Sequence, residues 1–197
     1  MERSQGGAEI ELSMLFADLR QSTELAATIS AVAFSRILNA FYGIASRAVE
    51  ARGGSVDKYL GDGVFALFIP GFTGMDHAER AIDTARRIQR ETSRPLGPGG
   101  MTTSLPVGIG VHTGTAYVGV VGQAGDLTDF TALGEAVNVA QRLSSVADAG
   151  EILISDAALA ASSAPAEGLV RRDLELKGVA GVVVAWSVSS VRAANAS

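Results

Sequence analysis

Two aspartates, Asp18 and Asp62, are the residues of this 197-residue chain whose positions most suggest chemistry. Asp18 directly follows the apolar run IELSMLFA, and Asp62 lies in the sequence LGDG between two strand-like runs. In a chain with no cysteine and two histidines, paired carboxylates suit a hard cation such as Mg²⁺. Two-ion sites of this kind activate an attacking oxygen and stabilise a leaving one in phosphoryl or nucleotidyl transfer. Taken singly, Asp18 could instead cap a helix, and Asp62 could be an ordinary turn residue.

The segment after Asp18 could bind a polyphosphate. Its backbone N–H groups lead into a predicted helix, and a helix N-terminus favours anions. The chain contains no GxxxxGK[ST] phosphate loop. The alternative is an ordinary helix whose N-terminus is capped by Ser22 or Thr23. The candidate phosphate-binding residues are Leu19, Arg20, Gln21, Ser22 and Thr23.

Asn138 and Arg142 form a second constellation. They are four residues apart on a predicted helix and therefore project from one face, while Val137 and Val139 are expected to face the core. A guanidinium and an amide on one face could bind a phosphate and orient a sugar. An exposed helix face with ordinary polar residues is the alternative.

Lys58 and Thr131 could recognise a purine base. Lys58 is one of two lysines among 16 basic residues, the other being Lys177, and a lysine offers a compact ammonium where arginine offers a planar fork. A lysine and a hydroxyl together can contact the N1 acceptor and the N6 amino group of adenine. A guanine site would need an acceptor for the N1–H group.

The predicted elements determine where these residues can meet. The first six elements follow the order strand, helix, strand, strand, helix, strand. This order predicts an α+β fold with a ferredoxin-like βαββαβ core, followed by an additional C-terminal helix and strands. The strands are predicted at residues 10–17, 55–60, 64–69, 105–112, 115–121, 151–155, 169–176 and 182–188, and the main helices at 31–51, 74–92 and 134–147.

The predicted topology brings the two aspartates together. In a ferredoxin-like sheet the first strand is central and pairs with the strand that follows the hairpin. The end of the first strand and the hairpin tip are then neighbours, so Asp18 and Asp62 are expected at one edge of the sheet. Irregular connections are expected at residues 93–100 and 127–135, with a turn at 113–114.

The composition excludes several classes of protein. Hydrophobic residues make up 47% of the chain and charged residues 19%, as in a globular domain, and a net charge of −5 disfavours nucleic-acid binding. The absence of cysteine excludes disulfides, thiolate metal sites and a cysteine nucleophile. No apolar run reaches the ~18–20 residues of a membrane span, and no signal peptide is evident, so we expect a cytoplasmic protein that does not bind membranes. One domain is expected over residues 10–188, with a flexible leader at 1–9 and a flexible tail at 189–197.

The two histidines are not predicted to be catalytic. His112 lies at a strand end with no serine or cysteine nucleophile motif nearby, so a structural role is expected. His77 is expected to begin a helix and to contact solvent.

Four segments, in this order and spacing, resemble the class III nucleotidyl cyclase catalytic domain, of the bacterial single-domain adenylate cyclase type. They are MLFADLRQST, GGSVDKYLGDGVFALF, VGIGVHTGTAYVGVVG and FTALGEAVNVAQRL, and the similarity runs from about Leu12 to Val188. Pro106 departs from the family pattern, because many relatives have a basic residue before VGIG. The resemblance implies a role for each candidate: metal ligands at Asp18, Asp62 and the Leu19 carbonyl, purine contacts at Lys58 and Thr131, transition-state contacts at Asn138 and Arg142, and a terminal-phosphate contact at Lys177.

The resemblance also implies an activity and an assembly. The activity is the conversion of ATP to 3′,5′-cyclic AMP and pyrophosphate with two Mg²⁺ or Mn²⁺ ions per site, through attack of the ribose 3′-OH on the α-phosphate. Lys58 lies four residues before Asp62, about 13 Å along a strand, so one chain does not obviously complete a site. The family arrangement is a head-to-tail dimer with each site shared, here a homodimer. A guanylate cyclase and a catalytically silent nucleotide-binding regulatory domain are the alternatives.

Overall fold

The structure of the protein is a computed structural model that describes residues 6–94, 105–122 and 129–189. Residues 1–5 of the expected leader (1–9), residues 190–197 of the expected tail (189–197) and most of the expected loop at 93–100 lie outside these residues. The first strand begins at Gly7, three residues before its predicted start, and the last strand ends at Ser189.

Up to the fourth strand, the main strands and helices of the described chain follow the predicted order. The strands are β1 (Gly7–Leu19), β2 (Ser55–Leu60), β3 (Gly63–Phe68), β4 (Val107–Val121), β5 (Asp129–Leu133), β6 (Glu151–Ser155), β7 (Val170–Glu175) and β8 (Val182–Ser189). The helices are α1 (Ser22–Thr28), α2 (Ala31–Glu50), α3 (Pro70–Thr73), α4 (His77–Thr92), α5 (Glu135–Val146) and α6 (Asp156–Ala160).

The strands form one mixed sheet in the order β2-β3-β1-β4-β6-β8-β7, and β5 pairs with the outer half of β4. β1 is antiparallel to both β3 and β4, so it is central, as a ferredoxin-like core requires. β6 runs parallel to β4, and the antiparallel pair β7–β8 extends the sheet beyond it. The α+β prediction, with its ferredoxin-like core and C-terminal additions, is confirmed.

Alternation along β1 divides the core between the two faces of the sheet. Leu15 and Ala17 pack on the side of α2 and α4, whereas Met14 and Phe16 pack on the side of α5 and β5. Because side chains alternate along a strand, each strand of the centre supplies both layers. Burying each large apolar side chain stabilises the fold by about 1.5–3 kcal/mol. The two layers therefore hold in place the sheet that carries the site.

β4 differs from the sequence prediction, because it runs through the turn expected at Thr113-Gly114 without a break. Thr113 and Gly114 pair with Ser13 and Leu12 of β1 in regular register. The Thr113 hydroxyl is buried and lies 2.6 Å from Ser13 Oγ, which gives this polar residue a partner inside the sheet. A Thr-Gly pair signals a turn only where no neighbouring strand satisfies its backbone groups.

Two glycines of β4 allow other groups to approach the strand closely. A Cβ at Gly110 would overlap the backbone nitrogen of Ser144 and the carbonyl oxygen of Ala140, so α5 sits directly on this strand. A Cβ at Gly108 would overlap the guanidinium of Arg20. The GIG sequence therefore positions both α5 and the segment that follows β1.

The prediction that His77 is solvated is wrong. His77 begins α4 as expected, but it is 4% exposed, and its Nδ1 lies 2.9 Å from Ser13 Oγ. His112 is largely buried on β4, where its Nδ1 lies 2.8 Å from Ser155 Oγ, and burial lowers its pKa to about 4. Both imidazoles therefore connect two elements of the fold through a serine hydroxyl group.

No helix among the described residues is long and apolar enough to cross a lipid bilayer.

Candidate active site

The structure brings Asp18 and Asp62 together, as the topology predicts. Asp18 is the last residue of β1 that pairs with β3, opposite Gly63, and Asp62 immediately precedes Gly63. The N–H group of Leu19 donates to the Asp62 carbonyl oxygen over 3.0 Å, which ties the end of β1 to the hairpin. The two carboxylates line a cavity of about 170 Å³ between the hairpin and α5.

The hairpin that presents Asp62 depends on Gly61. Gly61 and Asp62 form the two-residue connection between β2 and β3, and Gly61 has φ +67°, a left-handed conformation that glycine adopts without strain. Glycine at the first central position, followed by an ordinary residue, is typical of a tight hairpin. The Tyr42 hydroxyl of α2 donates to the Gly61 carbonyl oxygen, and the Ser22 hydroxyl donates to the Asp62 carboxylate. The hairpin tip is thus held from both sides.

The electrostatics of this pair favour a cation. Burial and the neighbouring Asp62 carboxylate raise the pKa of Asp18 from 3.8 to about 6, against the opposing effect of Arg20. Arg20 Nη1 lies 3.2 Å from Asp18 Oδ2, and its other terminal nitrogen donates to the Ser144 carbonyl oxygen. Two carboxylates whose charges disfavour each other are stabilised when a divalent cation binds between them.

The carboxylate oxygens of Asp18 and Asp62 fit Mg²⁺ or Mn²⁺, but they are too few to complete the coordination of such an ion. Both side chains offer only oxygen, which hard cations prefer. No group of three or more histidine, cysteine, aspartate or glutamate side chains that could hold a metal occurs in the described part of the chain. A bound cation would therefore take its remaining ligands from backbone carbonyls, water and substrate phosphates, which is how Mg²⁺ commonly binds.

The raised pKa of Asp18 predicts a pH-dependent stabilisation by Asp18→Asn in the absence of divalent cations. The folded chain binds this proton more tightly than the unfolded chain, so ionisation of Asp18 lowers stability as the pH rises from about 4 through 6. The amide removes this cost. At pH 7.5 we expect the Tm to rise by about 2–4 °C, or about 1 kcal/mol after solvent screening, and to change little at pH 4.

Thermal denaturation in EDTA at both pH values measures this effect. Asp173→Asn is the control, because Asp173 is exposed on β7 and, within the described part of the chain, its side chain pairs with Arg171 alone. A Tm for Asp18→Asn that is unchanged or lower at pH 7.5 would show that Asp62 and burial do not destabilise the ionised carboxylate.

Fewer backbone N–H groups are available to a phosphate in the segment 19–23 than the sequence predicts. The N–H groups of Leu19 and Arg20 donate to the carbonyl oxygens of Asp62 and Pro106, the latter over 2.7 Å, so they are not available to a phosphate. Gln21 precedes α1 with φ +57° and makes no side-chain cap, and it is the one non-glycine residue with positive φ in the described ranges. The N–H groups of Ser22 and Thr23 open α1. Ser22 does not cap the helix, since it is the first helical residue and its hydroxyl donates to Asp62.

Lys58 and Thr131 lie together in the same chain. β5, which the sequence does not predict, places Thr131 opposite Gly119 of β4, and the outer half of β4 packs with β5 against β3. Thr131 Oγ1 donates to Asp57 Oδ2 over 2.9 Å, and Lys58 Nζ lies 3.1 Å from the same oxygen. Asp129 forms a second ion pair with Lys58.

This cluster keeps Lys58 charged. Burial lowers the pKa of Lys58, but hydrogen bonds to Asp129 and Asp57 outweigh it and raise the pKa above 10.5. Sequence reasoning missed both aspartates. Asp57 directly precedes Lys58 in the sequence, and this is the one signal that could have indicated it. The signal is weak, because adjacent side chains of a regular strand point to opposite faces of the sheet.

Asn138 and Arg142 lie on α5, and neither belongs to the two clusters. Asn138 is exposed and Arg142 is half-buried, and neither side chain has a hydrogen-bond or ion-pair partner within the residues the structure describes. Val139 is buried, as expected, while Val137 is partly exposed. The two polar side chains therefore remain free to contact a ligand or a second protein.

Lys177 is exposed, lies two residues after β7, and has no hydrogen bond or ion pair to the other candidates among the described residues. It lines a separate cleft with residues of the β7–β8 connection. Its neighbour Leu176 belongs to the same buried cluster as Val139 and Leu143 of α5.

Comparison with known proteins agrees with the fold. The profile of the family described as "Adenylate and Guanylate cyclase catalytic domain" matches residues 7–189. An adenylate cyclase of Anabaena cylindrica is 32% identical over 177 residues, which cover 85% of this chain and 34% of that protein. Adenylate cyclase 1 of Rhizobium meliloti is 32% identical over 136 residues, 68% of this chain and 20% of that protein. The chain thus spans about a third or less of these relatives.

Two solved structures are similar over nearly the whole chain. The guanylyl cyclase Cya2 has 28% identity and a TM-score of 0.79, with 93% of each chain covered. The adenylyl cyclase CyaB from P. aeruginosa has 29% identity and a TM-score of 0.78, with 94% of this chain and 97% of that chain covered. The chain therefore belongs to the adenylate and guanylate cyclase catalytic domains, the class III nucleotidyl cyclases, a family of phosphorus–oxygen lyases.

Proposed function

We propose that this chain is an adenylate cyclase that converts ATP to 3′,5′-cyclic AMP and pyrophosphate. The observation that carries the proposal is the pairing of Lys58 with Thr131 around one buried carboxylate, because these two side chains together match the edge of adenine. The convergent carboxylates of Asp18 and Asp62 supply the second half of such a site. The similarity to the adenylate cyclase of Anabaena cylindrica supports the same activity.

The reaction replaces a phosphoanhydride bond at the α-phosphorus by a phosphoester bond to the ribose 3′-oxygen. The ribose 3′-oxygen bonds to the α-phosphorus, the bond from that phosphorus to the bridging oxygen breaks, and pyrophosphate leaves. The 3′-OH proton passes to solvent. Asp18 and Asp62, with the Leu19 carbonyl, would hold divalent cations, which when bound lower the pKa of the 3′-OH and offset the phosphate charge.

The remaining residues orient the substrate and stabilise charge. Arg142 donates hydrogen bonds to the α-phosphoryl oxygens as negative charge develops there, and a planar guanidinium suits that task. Asn138, one turn earlier on α5, positions the ribose. Ser22 and Thr23 offer the first N–H groups of α1 to the phosphates, and Lys177 contacts the terminal phosphate.

The active assembly in this proposal is a head-to-tail homodimer. Among the described residues, no hydrogen bond or ion pair joins the Lys58 cluster to the Asp18–Asp62 pair, and Asn138 and Arg142 have a partner in neither cluster. We call Asp18 and Asp62 the metal half of a site, and Lys58, Thr131, Asn138 and Arg142 the purine half. A second copy related by a two-fold axis would bring the purine half of one chain to the metal half of the other, giving two equivalent sites.

Selectivity for ATP over GTP is the direct test of this proposal. The ammonium of Lys58 donates to N1 of adenine, whereas guanine presents an N1–H donor at that position, so the wrong base leaves two donors facing each other. We expect kcat/KM for ATP to exceed that for GTP by at least about 100-fold.

The measurement is the initial rate with each nucleotide in Mn²⁺ and in Mg²⁺, with the cyclic product identified by mass spectrometry. Guanylate cyclase activity is the competing outcome, favoured by the structural similarity to Cya2. Cyclic GMP formation equal to or faster than cyclic AMP formation would contradict the proposal.

A further inference from the structure

A buried aspartate beside the two purine-contacting residues is the starting observation. The Asp57 side chain is 1% exposed, and its Oδ2 accepts hydrogen bonds from both Lys58 Nζ and Thr131 Oγ1. Its other oxygen, Oδ1, is buried and has no hydrogen-bond partner among the residues that the structure describes. An ionised side chain in such a place costs folding free energy, so its presence calls for a reason beyond packing.

A bulge in β2 explains how Asp57 reaches this position. Val56 pairs with Ala66 of β3, and Lys58 pairs with the adjacent Phe65, so Asp57 is an extra residue in the register. A bulge re-aims side chains, and here it lets the consecutive residues Asp57 and Lys58 contact one another instead of pointing to opposite faces. The contact to Thr131 spans from β2 to β5, two strands that do not pair.

The contact fixes the direction in which the Thr131 hydroxyl donates. An ionised carboxylate has acceptors only, so the single O–H proton of Thr131 must point to Asp57. The lone pairs of Thr131 Oγ1 are then all that it can offer to a ligand. Position 6 of adenine carries an amino donor, whereas position 6 of guanine or hypoxanthine carries a carbonyl acceptor.

We infer that Asp57 is a specificity-determining positioning residue, which makes Thr131 an obligate acceptor and so selects a 6-aminopurine over a 6-oxopurine. The inference rests on the proposed function, since it concerns the base of the cyclised nucleotide. Asp57 acts through Thr131 and Lys58. A buried acceptor facing the 6-oxo group is left without a donor, and mismatches of this kind discriminate strongly.

The test compares ATP with inosine triphosphate, which shares the 6-oxo and N1–H groups of GTP but lacks the 2-amino group. In Asp57→Asn the amide can donate to Thr131 Oγ1 and free its hydroxyl proton to meet the 6-oxo group. We expect kcat/KM for ATP to fall and the ratio of inosine triphosphate to ATP to rise at least about tenfold over wild type.

Two further variants separate positioning from a general loss of structure. Asp129→Asn is the matched control, because Asp129 pairs with Lys58 and, among the described residues, has no hydrogen bond to Thr131, so the substrate ratio should stay within about twofold of wild type. In a Thr131→Val background Asp57→Asn should not change the ratio further, since no hydroxyl is left to orient. Asp57→Ala should shift the ratio in the same direction as Asp57→Asn.

Each outcome has one meaning. A wild-type protein that cyclises neither nucleotide overturns the proposed function and the inference together. A wild-type protein that makes cyclic AMP, with an unchanged ratio in Asp57→Asn or an equal shift in Asp129→Asn, overturns the inference alone. Loss of folding in both Asp57 variants, seen by circular dichroism, would assign Asp57 a structural role and also overturn it.

Discussion

Replacing either Asp18 or Asp62 by alanine is expected to lower the rate of cyclic AMP formation on the order of 10³-fold or more. The two carboxylates line one cavity, and no third acidic, histidine or cysteine side chain joins them within the described ranges. Loss of one therefore removes half of the side-chain ligands for the divalent cations. Neighbouring residues offer no replacement, since Arg20 is the other charged group in contact with Asp18.

The rates are measured under saturating ATP in Mn²⁺, together with the Tm of each variant. Asp173→Ala is the matched control, since it removes an exposed carboxylate from the far edge of the sheet and should keep wild-type activity. Asp18→Ala should be no less stable than wild type at neutral pH, because the raised pKa of Asp18 shows that its ionised form is disfavoured by burial and by Asp62. Near-wild-type turnover by a folded Asp18 or Asp62 variant would refute the metal assignment.

The meeting of Asp18 and Asp62 could be predicted because it depends on local signals and simple topology. Apolar alternation marks β1, and the glycines around Asp62 mark the hairpin. Once the strand order is ferredoxin-like, the central position of β1 brings the two residues together without knowledge of any side-chain contact. The helical spacing of Asn138 and Arg142 is equally local, and α5 includes both.

The parts that sequence reasoning missed depend on a partner elsewhere in the chain. β5 is five residues long and exists because the outer half of β4 extends far enough to pair with it. The bulge at Asp57 is defined only by the register of β2 against β3. Burial of His77 needs the Ser13 hydroxyl on β1 as its partner. Such features follow from long-range pairing, which local periodicity does not report.

The phosphate segment shows the same limit at the level of single hydrogen bonds. The residues after Asp18 are polar and precede a helix, which is sufficient to predict an anion site. The carbonyl oxygens that occupy the Leu19 and Arg20 N–H groups come from Asp62 and Pro106, both distant in sequence. Backbone donors are thus assigned only when their acceptors are known.

Assembly of each site from two copies of the chain predicts rescue between two inactive variants. Asp18→Ala damages the metal half of a chain, and Asn138→Ala damages the half that carries the purine and transition-state residues. In a heterodimer of the two, one site receives both damaged halves and the other receives both intact halves. Each homodimer alone is expected to be inactive, whereas the purified heterodimer should recover about half of the wild-type rate.

The most direct measurement is therefore the cyclic AMP rate of heterodimers purified through two different affinity tags. The matched control is the heterodimer of Asp18→Ala with Asp62→Ala, in which both changes fall on the same half, so that each site is damaged and no activity should return. Recovery in the first heterodimer, together with inactivity in the second, is the predicted result. A first heterodimer that forms but stays inactive, or equal recovery in both, would contradict a site shared between two chains.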